Sequence, residues 1–305
     1  MRRNLNLKVR LTSGGSGEHA DLVVFAPHPD DEALNCGGII ARAAAEGKRV
    51  KVVMLTSGDG FPDWASLVSR HPADRLVAAD YLELARLRQS QVLVALSALG
   101  LGARDLLLLG YPDGGLSAIY ERAGASPFRQ QYTRRSGTYG LVQPDYHTAR
   151  HGHPAPYTRA AVLGDMVDIL RTLHPREIYV TSEADDHSDH RAAFWFLREA
   201  ARAALYQGEF YTFLVHVGRE EEWPWPRGMT PQSRFARHRV EGQWVPPEVP
   251  WPPPRRVALR PAEIAAKRQA IAAHCSHLVG DTSLRMREYL ESFLKSEEIF
   301  WPALG

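Results

Sequence analysis

The chain has 305 residues and a formal net charge of +2, with 44% hydrophobic and 24% charged residues. This composition is typical of a globular protein and excludes a disordered or collagen-like chain. The near balance of charges gives no support for a nucleic-acid partner or a basic membrane anchor, and no apolar run reaches the roughly 18–20 residues that a membrane helix needs.

The first part of the chain alternates predicted strands and helices. Residues 5–11 alternate apolar and polar side chains, which predicts a strand with one buried face. Residues 21–26 form a continuous apolar run, typical of a central parallel strand that is buried on both faces. A helix with one apolar face follows, and residues 50–55 form the next buried strand. Strand, helix and strand together predict a right-handed βαβ unit.

The same alternation continues to residue 217. Further helices are predicted at 81–99, 159–173 and 190–206, and further strands at 106–109, 177–180 and 209–217. Between them, residues 111–156 lack periodicity, and a loop of that length is usually functional or mobile. Repeated β-α-β alternation predicts an α/β three-layer sandwich with a mostly parallel sheet.

The last third of the chain departs from this pattern. Residues 223–254 hold nine prolines and four of the seven tryptophans. Because proline is excluded from central strands, we predict an extended surface segment packed by its tryptophans, either a cover, a subunit contact or a plain loop. Closing helices are predicted at 262–274 and 284–296. We expect a single domain over 1–305 with its core at about residues 20–215, the Pro/Trp-rich segment as an insertion, and closing helices within 261–300.

The sequence features that bear on cellular location favour the cytoplasm. Residues 1–5 lead into polar alternation and not into the apolar stretch of a signal peptide. Two cysteines, Cys36 and Cys275, cannot build a disulfide framework, so we expect a reducing environment. With thirteen histidines beside them, any metal site is expected to use nitrogen and oxygen ligands.

The first motif, Pro27-His28-Pro29-Asp30-Asp31-Glu32, directly follows the first central strand. Ligands bind at the carboxyl ends of strands in open α/β sheets. Adjacent carboxylates repel each other, and a divalent cation relieves that repulsion. The spacing of His28 and Asp31 can place an imidazole and a carboxylate on one ion, while Asp30 stays free.

The second motif, residues 185–190 with the letters DDHSDH, follows a later strand and opens a helix. His187 and His190 are three residues apart and therefore share one face of the first helical turn. Asp189 can accept an imidazole N–H and fix its tautomer. Because both motifs follow strands of a predicted parallel sheet, we expect them at one edge of it.

Two histidines and one aspartate suit a catalytic zinc with an open fourth position. Such a zinc lowers the pKa of its bound water to about 7 and polarises a carbonyl. Asp30 is then placed to take a proton from that water, and His187 to stabilise an oxyanion or protonate a leaving amine. These parts predict a hydrolase for a carbonyl compound such as an amide. Solvated loop charges with helix-capping residues are the alternative interpretation.

The PHPDDE motif, followed by Gly37-Gly38 and later by His187-Ser188-Asp189-His190, resembles the zinc-dependent LmbE-like deacetylases, also called the PIG-L family. The resemblance covers about residues 20–215 and implies a Rossmann-like fold. Family members remove N-acetyl groups from N-acetylglucosamine units attached to inositol, malate, phosphatidylinositol or other aglycones, and some cleave the amide of mycothiol conjugates. The resemblance therefore implies a small-molecule amino-sugar conjugate as substrate and a homo-oligomer as a possible assembly.

Site roles follow from this resemblance position by position. It implies three Zn²⁺ ligands, which are His28, Asp31 and His190. It implies Asp30 as the general base, His187 as the acid or oxyanion stabiliser, and Asp189 as the partner that orients His187.

Two further residues are candidates for substrate binding. Arg88 lies in Arg88-x-x-Gln91, which resembles a family Arg-x-x-Glu helix whose arginine often faces the sugar, although Gln91 departs from the usual glutamate. A solvated helix arginine is the alternative. Asp113 could bind sugar hydroxyls or simply belong to a Pro-Asp-Gly turn. For His147, His151 and His153 in the long loop, we expect mobile surface side chains.

The leading prediction is a zinc-dependent deacetylase of an N-acetylglucosamine-type conjugate. Alternatives are an amidase of a low-molecular-weight-thiol conjugate and a non-catalytic metal- or sugar-binding homologue, the latter disfavoured because Asp30 and His187 are intact. A non-haem iron oxygenase would also use two histidines and a carboxylate, but those enzymes are usually all-β barrels.

Overall fold

The computed structural model describes residues 19–122, 124–218, 222–246, 253–278 and 283–303. Its strands are β1 (Leu22–Ala26), β2 (Val50–Thr56), β3 (Leu106–Tyr111), β4 (Glu177–Thr181), β5 (Glu209–Phe213), β6 (His238–Val240), β7 (Gln243–Val245), β8 (Arg255–Ala258) and β9 (Glu297–Pro302). Seven of them form one sheet in the order β3-β2-β1-β4-β5-β9-β8. The strand predicted at 5–11 lies outside the described residues.

The first five strands of this sheet are parallel, which confirms the predicted mostly parallel sheet. Strand β9 pairs antiparallel with β5, and β8 pairs antiparallel with β9. Parallel neighbours need crossover connections, and the helices between these strands supply them.

Helices cover both faces of the sheet and complete the predicted three layers. They are α1 (Asp31–Ala45), α2 (Pro62–Ser69), α3 (Ala78–Ala98), α4 (Leu116–Glu121), α5 (Tyr146–His151), α6 (Arg159–Leu173), α7 (Ser188–Ala203), α8 (Pro261–His274) and α9 (Leu284–Glu291). Among the described residues, no helix combines the length and the apolar composition needed to cross a membrane.

Strand β1 shows why the sheet needs a helical layer on each face. Its side chains alternate between two separate hydrophobic clusters, as the pleat of a strand requires. Leu22 and Val24 pack in the cluster with α1, α3 and α8, whereas Val23 and Phe25 pack in the cluster with α6 and α7. The continuous apolar run that marked this strand in the sequence is therefore the pattern of a strand buried on both faces.

The structure adds elements that the sequence pattern did not predict. The helices α4 and α5 lie in the segment 111–156, which was expected to be a loop, and α2 follows β2 where no helix was predicted. Helix α9 ends at Glu291, and the chain then returns as β9. Strand β9 begins with the buried pair Glu297 and Glu298. Two consecutive acidic residues do not signal a buried strand, because their burial depends on cationic partners elsewhere in the chain.

Within the predicted Pro/Trp-rich segment, the described residues form a small hairpin of β6 and β7. Trp223 is buried and stacks on Phe235 with ring centroids 5.2 Å apart. Trp225 stacks on His238 at 4.5 Å and is partly exposed. Residues 247–252 of the segment lie outside the described residues.

Candidate active site

Both sequence motifs lie at the carboxyl end of the parallel strands. Strands β1 and β4 are neighbours, and from them the strand order runs outward in opposite directions. Such a switch point leaves a crevice between the two strand ends, where α/β sheets bind their ligands. His28 follows β1, and His190 lies in the first turn of α7 after β4. The fold thus brings the two motifs together.

Three side-chain atoms of these motifs form a compact triangle. His28 Nδ1 lies 3.0 Å from His190 Nε2, and Asp31 Oδ2 lies 3.6 Å and 3.3 Å from these two nitrogens. Four ligands on metal bonds of about 2.0–2.1 Å in a tetrahedron stand about 3.3 Å apart. The separations therefore fit three ligands of a single tetrahedral ion.

The opposite nitrogens of both imidazoles face carboxylates. His28 Nε2 lies 3.1 Å from Asp113 Oδ1, and His190 Nδ1 lies 3.2 Å from Asp185 Oδ1. An ionised carboxylate can only accept a proton, so each of these contacts favours the tautomer that carries its proton on the outward-facing ring nitrogen. A neutral ring then has its lone pair on the other nitrogen, which points into the triangle. Two facing lone pairs 3.0 Å apart would be held together by a cation, either a shared proton or a metal ion.

The electrostatics of the two imidazoles also favour positive charge at this point. Burial lowers the pKa of His28, but Asp113, Asp189 and Asp31 more than offset this and raise it well above its ordinary value. Burial likewise lowers the pKa of His190, while Asp31 and Asp185 raise it to about 9. A buried metal ion would satisfy the same carboxylates that otherwise hold protons on these rings.

Asp185 is a site residue that the sequence analysis quoted but did not assign. Its Oδ2 accepts hydrogen bonds from the backbone N–H groups of Val215 and His216, and its Oδ1 accepts one from the N–H of His187. Burial raises the pKa of Asp185, but His190, His216 and the backbone N–H of His187 bring it below its ordinary value. The carboxylate is thus ionised, rigidly held and placed to orient His190.

Asp30 has an unusual backbone conformation, with φ at 135°. Its carbonyl accepts the N–H groups of Ala33 and Leu34 at the start of α1, and its own N–H donates to Glu32 Oε2. Backbone strain of this kind persists only where the surroundings enforce it, and it concentrates at functional sites. Asp30 is 8% exposed, and burial raises the pKa of its carboxyl group while Arg88 opposes that shift.

Arg88 is placed behind Asp30 and does not line an open surface. Its guanidinium donates to the carbonyls of Gly58 and Pro29 and lies 3.0 Å from Asp30 Oδ2. Its face covers the Trp64 ring at 4.7 Å, and the residue is only 6% exposed. The burial of Arg88 contradicts the alternative of a solvated helix arginine, and its contacts among the described residues are with the protein, while its role in substrate binding stays a prediction.

His187 is the N-cap residue of α7, and its Nδ1 accepts the N–H of Asp189 at 3.2 Å. Its neutral ring therefore carries the proton on Nε2. Burial lowers the pKa of His187 to about 2, and neighbouring His28, His190 and His216 act in the same direction. The ring centroids of His187 and His28 are 4.7 Å apart, so the His187 ring lies beside the triangle.

The carboxylate of Asp189 points away from the partner that was expected for it. Its oxygens accept the N–H groups of Gly114 and Leu116, and Oδ2 lies 3.5 Å from His28 Nε2. Asp189 is thus placed to hold His28 and the loop after β3, whereas the sequence analysis expected it to orient His187. Only its backbone N–H contacts His187.

The carboxylate of Asp113 also contacts other groups of the protein. One oxygen lies against His28, and the other accepts the N–H of Gly60 at 2.6 Å. Burial raises the pKa of the neighbouring Asp59 to about 7, and the charge of Asp113 adds to that shift, although the Tyr139 hydroxyl opposes it. We expected a contact between Asp113 and sugar hydroxyls, and the structure uses its carboxylate to hold His28.

His216, which follows β5, was not singled out in the sequence. Its ring centroid lies 5.0 Å from that of His190 and 5.4 Å from that of His187. On its other side it stacks on Tyr289 of α9 at 5.8 Å, so the closing helix reaches the site. An isolated histidine beyond a strand carries no local pattern, and only the fold reveals its position.

The comparisons with known proteins agree on one family. Residues 23–201 match the family model described as PIG-L, GlcNAc-PI de-N-acetylase. A 1D-myo-inositol 2-acetamido-2-deoxy-alpha-D-glucopyranoside deacetylase from Rhodococcus opacus is 32% identical over 193 residues, which cover 60% of this chain and 53% of that protein. The protein of the same name from Tsukamurella paurometabola is 27% identical over 244 residues, covering 74% and 70%. The chain spans about half the length of the first of these curated relatives.

Solved structures show the same fold. The N,N'-diacetylchitobiose deacetylase from Pyrococcus horikoshii superposes with a TM-score of 0.53 at 17% identity and covers 94% of this chain and 84% of its own. The A40926 pseudoaglycone deacetylase Dbv21 gives a TM-score of 0.52 at 15% identity, covering 93% and 97%. At these identities the likeness concerns the fold alone.

Proposed function

Because the chain belongs to the PIG-L family, we propose that it is a zinc-dependent hydrolase that removes the acetyl group from an N-acetylglucosamine-type conjugate. The observation that carries the proposal is the triangle of His28 Nδ1, His190 Nε2 and Asp31 Oδ2, with sides of 3.0, 3.3 and 3.6 Å. The names of the inositol-conjugate deacetylases support the substrate class.

The three atoms of the triangle would hold the zinc ion. A zinc ion with an open position lowers the pKa of a water molecule to about 7 and polarises the carbonyl of an amide. Asp185 and Asp113 keep the two imidazoles in the tautomers that ligation needs, since each faces the ring nitrogen that points away from the triangle.

Asp30 is the proposed general base. It neighbours the ligand Asp31 in sequence, but its carboxylate is held by Arg88 and not by the imidazoles of the triangle. A proton taken from the attacking water would be held at a carboxylate oxygen of Asp30 and then passed to the leaving amine. Arg88 positions this carboxylate through its contact at 3.0 Å.

His187 is the proposed oxyanion donor. When water adds to the amide carbon, negative charge develops on the carbonyl oxygen, and a preorganised N–H donor stabilises it. His187 has its Nδ1 occupied by the N–H of Asp189, which leaves Nε2–H to donate toward the triangle. As a neutral ring it supplies this hydrogen bond without first losing or gaining a proton.

Acetate release tests the proposal directly. We expect the zinc-loaded protein to release acetate from an N-acetylglucosaminyl-inositol, to lose this activity with a chelator and to regain it when Zn²⁺ is restored. Asp31→Asn is the matched variant, because it removes one ligand oxygen while keeping the size of the side chain. Binding of the sugar conjugate without acetate release, at any zinc concentration, would contradict the proposed function.

A further inference from the structure

A second group of potential metal ligands lies apart from the residues of the candidate active site. His147 and His151 are one helical turn apart on α5, so their rings project from the same face. Asp165 lies on the neighbouring helix α6. Each of the three offers a ligand atom, and these atoms all lie within 4.8 Å of one another. None of the three belongs to the triangle or to the groups that hold it.

The carboxylate of Asp165 is the buried anchor of this group. The residue is 2% exposed, its Oδ1 lies 2.7 Å from His147 Nδ1, and its Oδ2 accepts the hydroxyl of Tyr111 at 2.7 Å. A buried carboxylate is stable only when positive charge or strong donors compensate its lost hydration. The phenol and the imidazole supply donors but no fixed positive charge, so a bound cation would add the countercharge.

His153 adds a third imidazole beside the group. Its ring centroid lies 5.3 Å from that of His147, and its Nδ1 lies 3.1 Å from the carbonyl oxygen of Pro154. A carbonyl can only accept, so Nδ1 carries the proton and Nε2 keeps a free lone pair. The rings of His147 and His151 are already 4.4 Å apart.

We propose that His147, His151 and Asp165 bind a second divalent transition-metal ion, with zinc as the fitting ion for this nitrogen and oxygen donor set and His153 as the available fourth ligand. The sequence analysis expected mobile surface histidines here, whereas the fold places them against a buried carboxylate. An ion bound between His147 and Asp165 would displace the proton that this pair shares at 2.7 Å and widen the pair to the spacing of tetrahedral ligands.

The site would act as a clip that fixes α5 to α6. The segment that carries α5 also holds Tyr139, whose hydroxyl donates to the Asp59 carboxylate in the loop after β2. At the other end, Tyr111 connects Asp165 to the strand that leads into Asp113. An ion in the clip would therefore hold a segment that flanks the candidate active site, without taking part in its chemistry.

Zinc stoichiometry after equilibrium dialysis tests the clip independently of catalysis. We expect two ions per chain in the wild type, and one in each of the single variants His151→Ala and Asp31→Asn. His71→Ala is the matched control, because His71 is an exposed histidine that also pairs with a buried aspartate, Asp80, at 3.0 Å. It should keep both ions.

The zinc affinity and the thermal unfolding of the variants give a second test of the clip. In the Asp31→Asn background, His151→Ala should weaken the remaining zinc site at least about 10-fold and abolish the rise in melting temperature that Zn²⁺ gives. If His151→Ala binds as much zinc as the wild type, the clip is refuted and the proposed function is untouched. If Asp31→Asn loses no zinc while His151→Ala does, the clip stands and the catalytic assignment fails.

Discussion

Replacement of Asp30 by asparagine is expected to reduce acetate release by about 10²–10⁴-fold, the contribution of a positioned general base. The amide of asparagine keeps the shape of the side chain but cannot take a proton from water. Asparagine differs from aspartate only in the terminal group, so it makes no new demand on the backbone at φ 135°. The bound zinc should remain, because the ligand triangle does not include Asp30.

The measurement pairs initial rates with zinc content for each purified variant. Asp74→Asn, at an exposed aspartate outside the site, is the control and should behave as wild type. An Asp30→Asn protein that keeps its zinc and deacetylates at the wild-type rate would remove Asp30 from the role of base. Loss of zinc together with activity would show instead that Asp30 belongs to the ligand set.

Lys267→Met is expected to lower the free energy of unfolding by about 3–5 kcal/mol, the usual cost of breaking a buried ion pair on one side. Lys267 Nζ lies 2.8 Å from Glu298 Oε1, and both side chains are fully buried. Glu298 also accepts the N–H groups of Gly38 and Ile39 in the middle of α1. Without Lys267 this carboxylate keeps its burial but loses its countercharge.

Urea unfolding of a double-variant cycle checks this expectation. Replacing both partners, as Lys267→Met with Glu298→Gln, should recover part of the loss, because the neutral amide needs no countercharge, although its single oxygen can accept only one of the two N–H groups. Lys48→Met is the control, since the Lys48–Glu46 pair is exposed and should contribute less than about 1 kcal/mol. A Lys267→Met protein within about 1 kcal/mol of wild type would contradict a buried, charge-compensated pair.

This ion pair also ties the closing segment to the candidate active site. Helix α8 supplies Lys267, strand β9 supplies Glu298, and both hold α1, whose first residue is the proposed ligand Asp31. His274 of α8 adds a second link, because its Nε2 lies 2.7 Å from Glu32. The C-terminal elements thus support the helix that carries the first motif.

The convergence of the two motifs could be predicted because it depends on local signals. His28 and His190 each follow an apolar run that indicates a buried strand, and parallel strands place their carboxyl ends at one edge. The repeating strands and helices likewise predicted the layers and the parallel sheet. Such signals lie within short windows of sequence, where hydrophobic period and turn residues act directly.

The partners of the site residues could not be predicted in this way. Asp185 meets His190, Arg88 meets Asp30, and Asp189 meets the loop after β3 only when the chain has folded. The same holds for Glu298, whose burial requires a lysine from another helix. Polar contacts, and not an apolar face, hold the short helix α5 against α6. Its sequence therefore lacks the apolar periodicity that predicts a helix.

Anomalous diffraction from a zinc-loaded crystal, collected on both sides of the zinc absorption edge, tests the central claim most directly. We expect a peak inside the triangle, about 2.0–2.2 Å from His28 Nδ1, His190 Nε2 and an oxygen of Asp31. His28, Asp113 and Asp189 also offer atoms close enough to hold an ion, on the opposite side of the same ring. A peak there, with the triangle empty, would contradict the account.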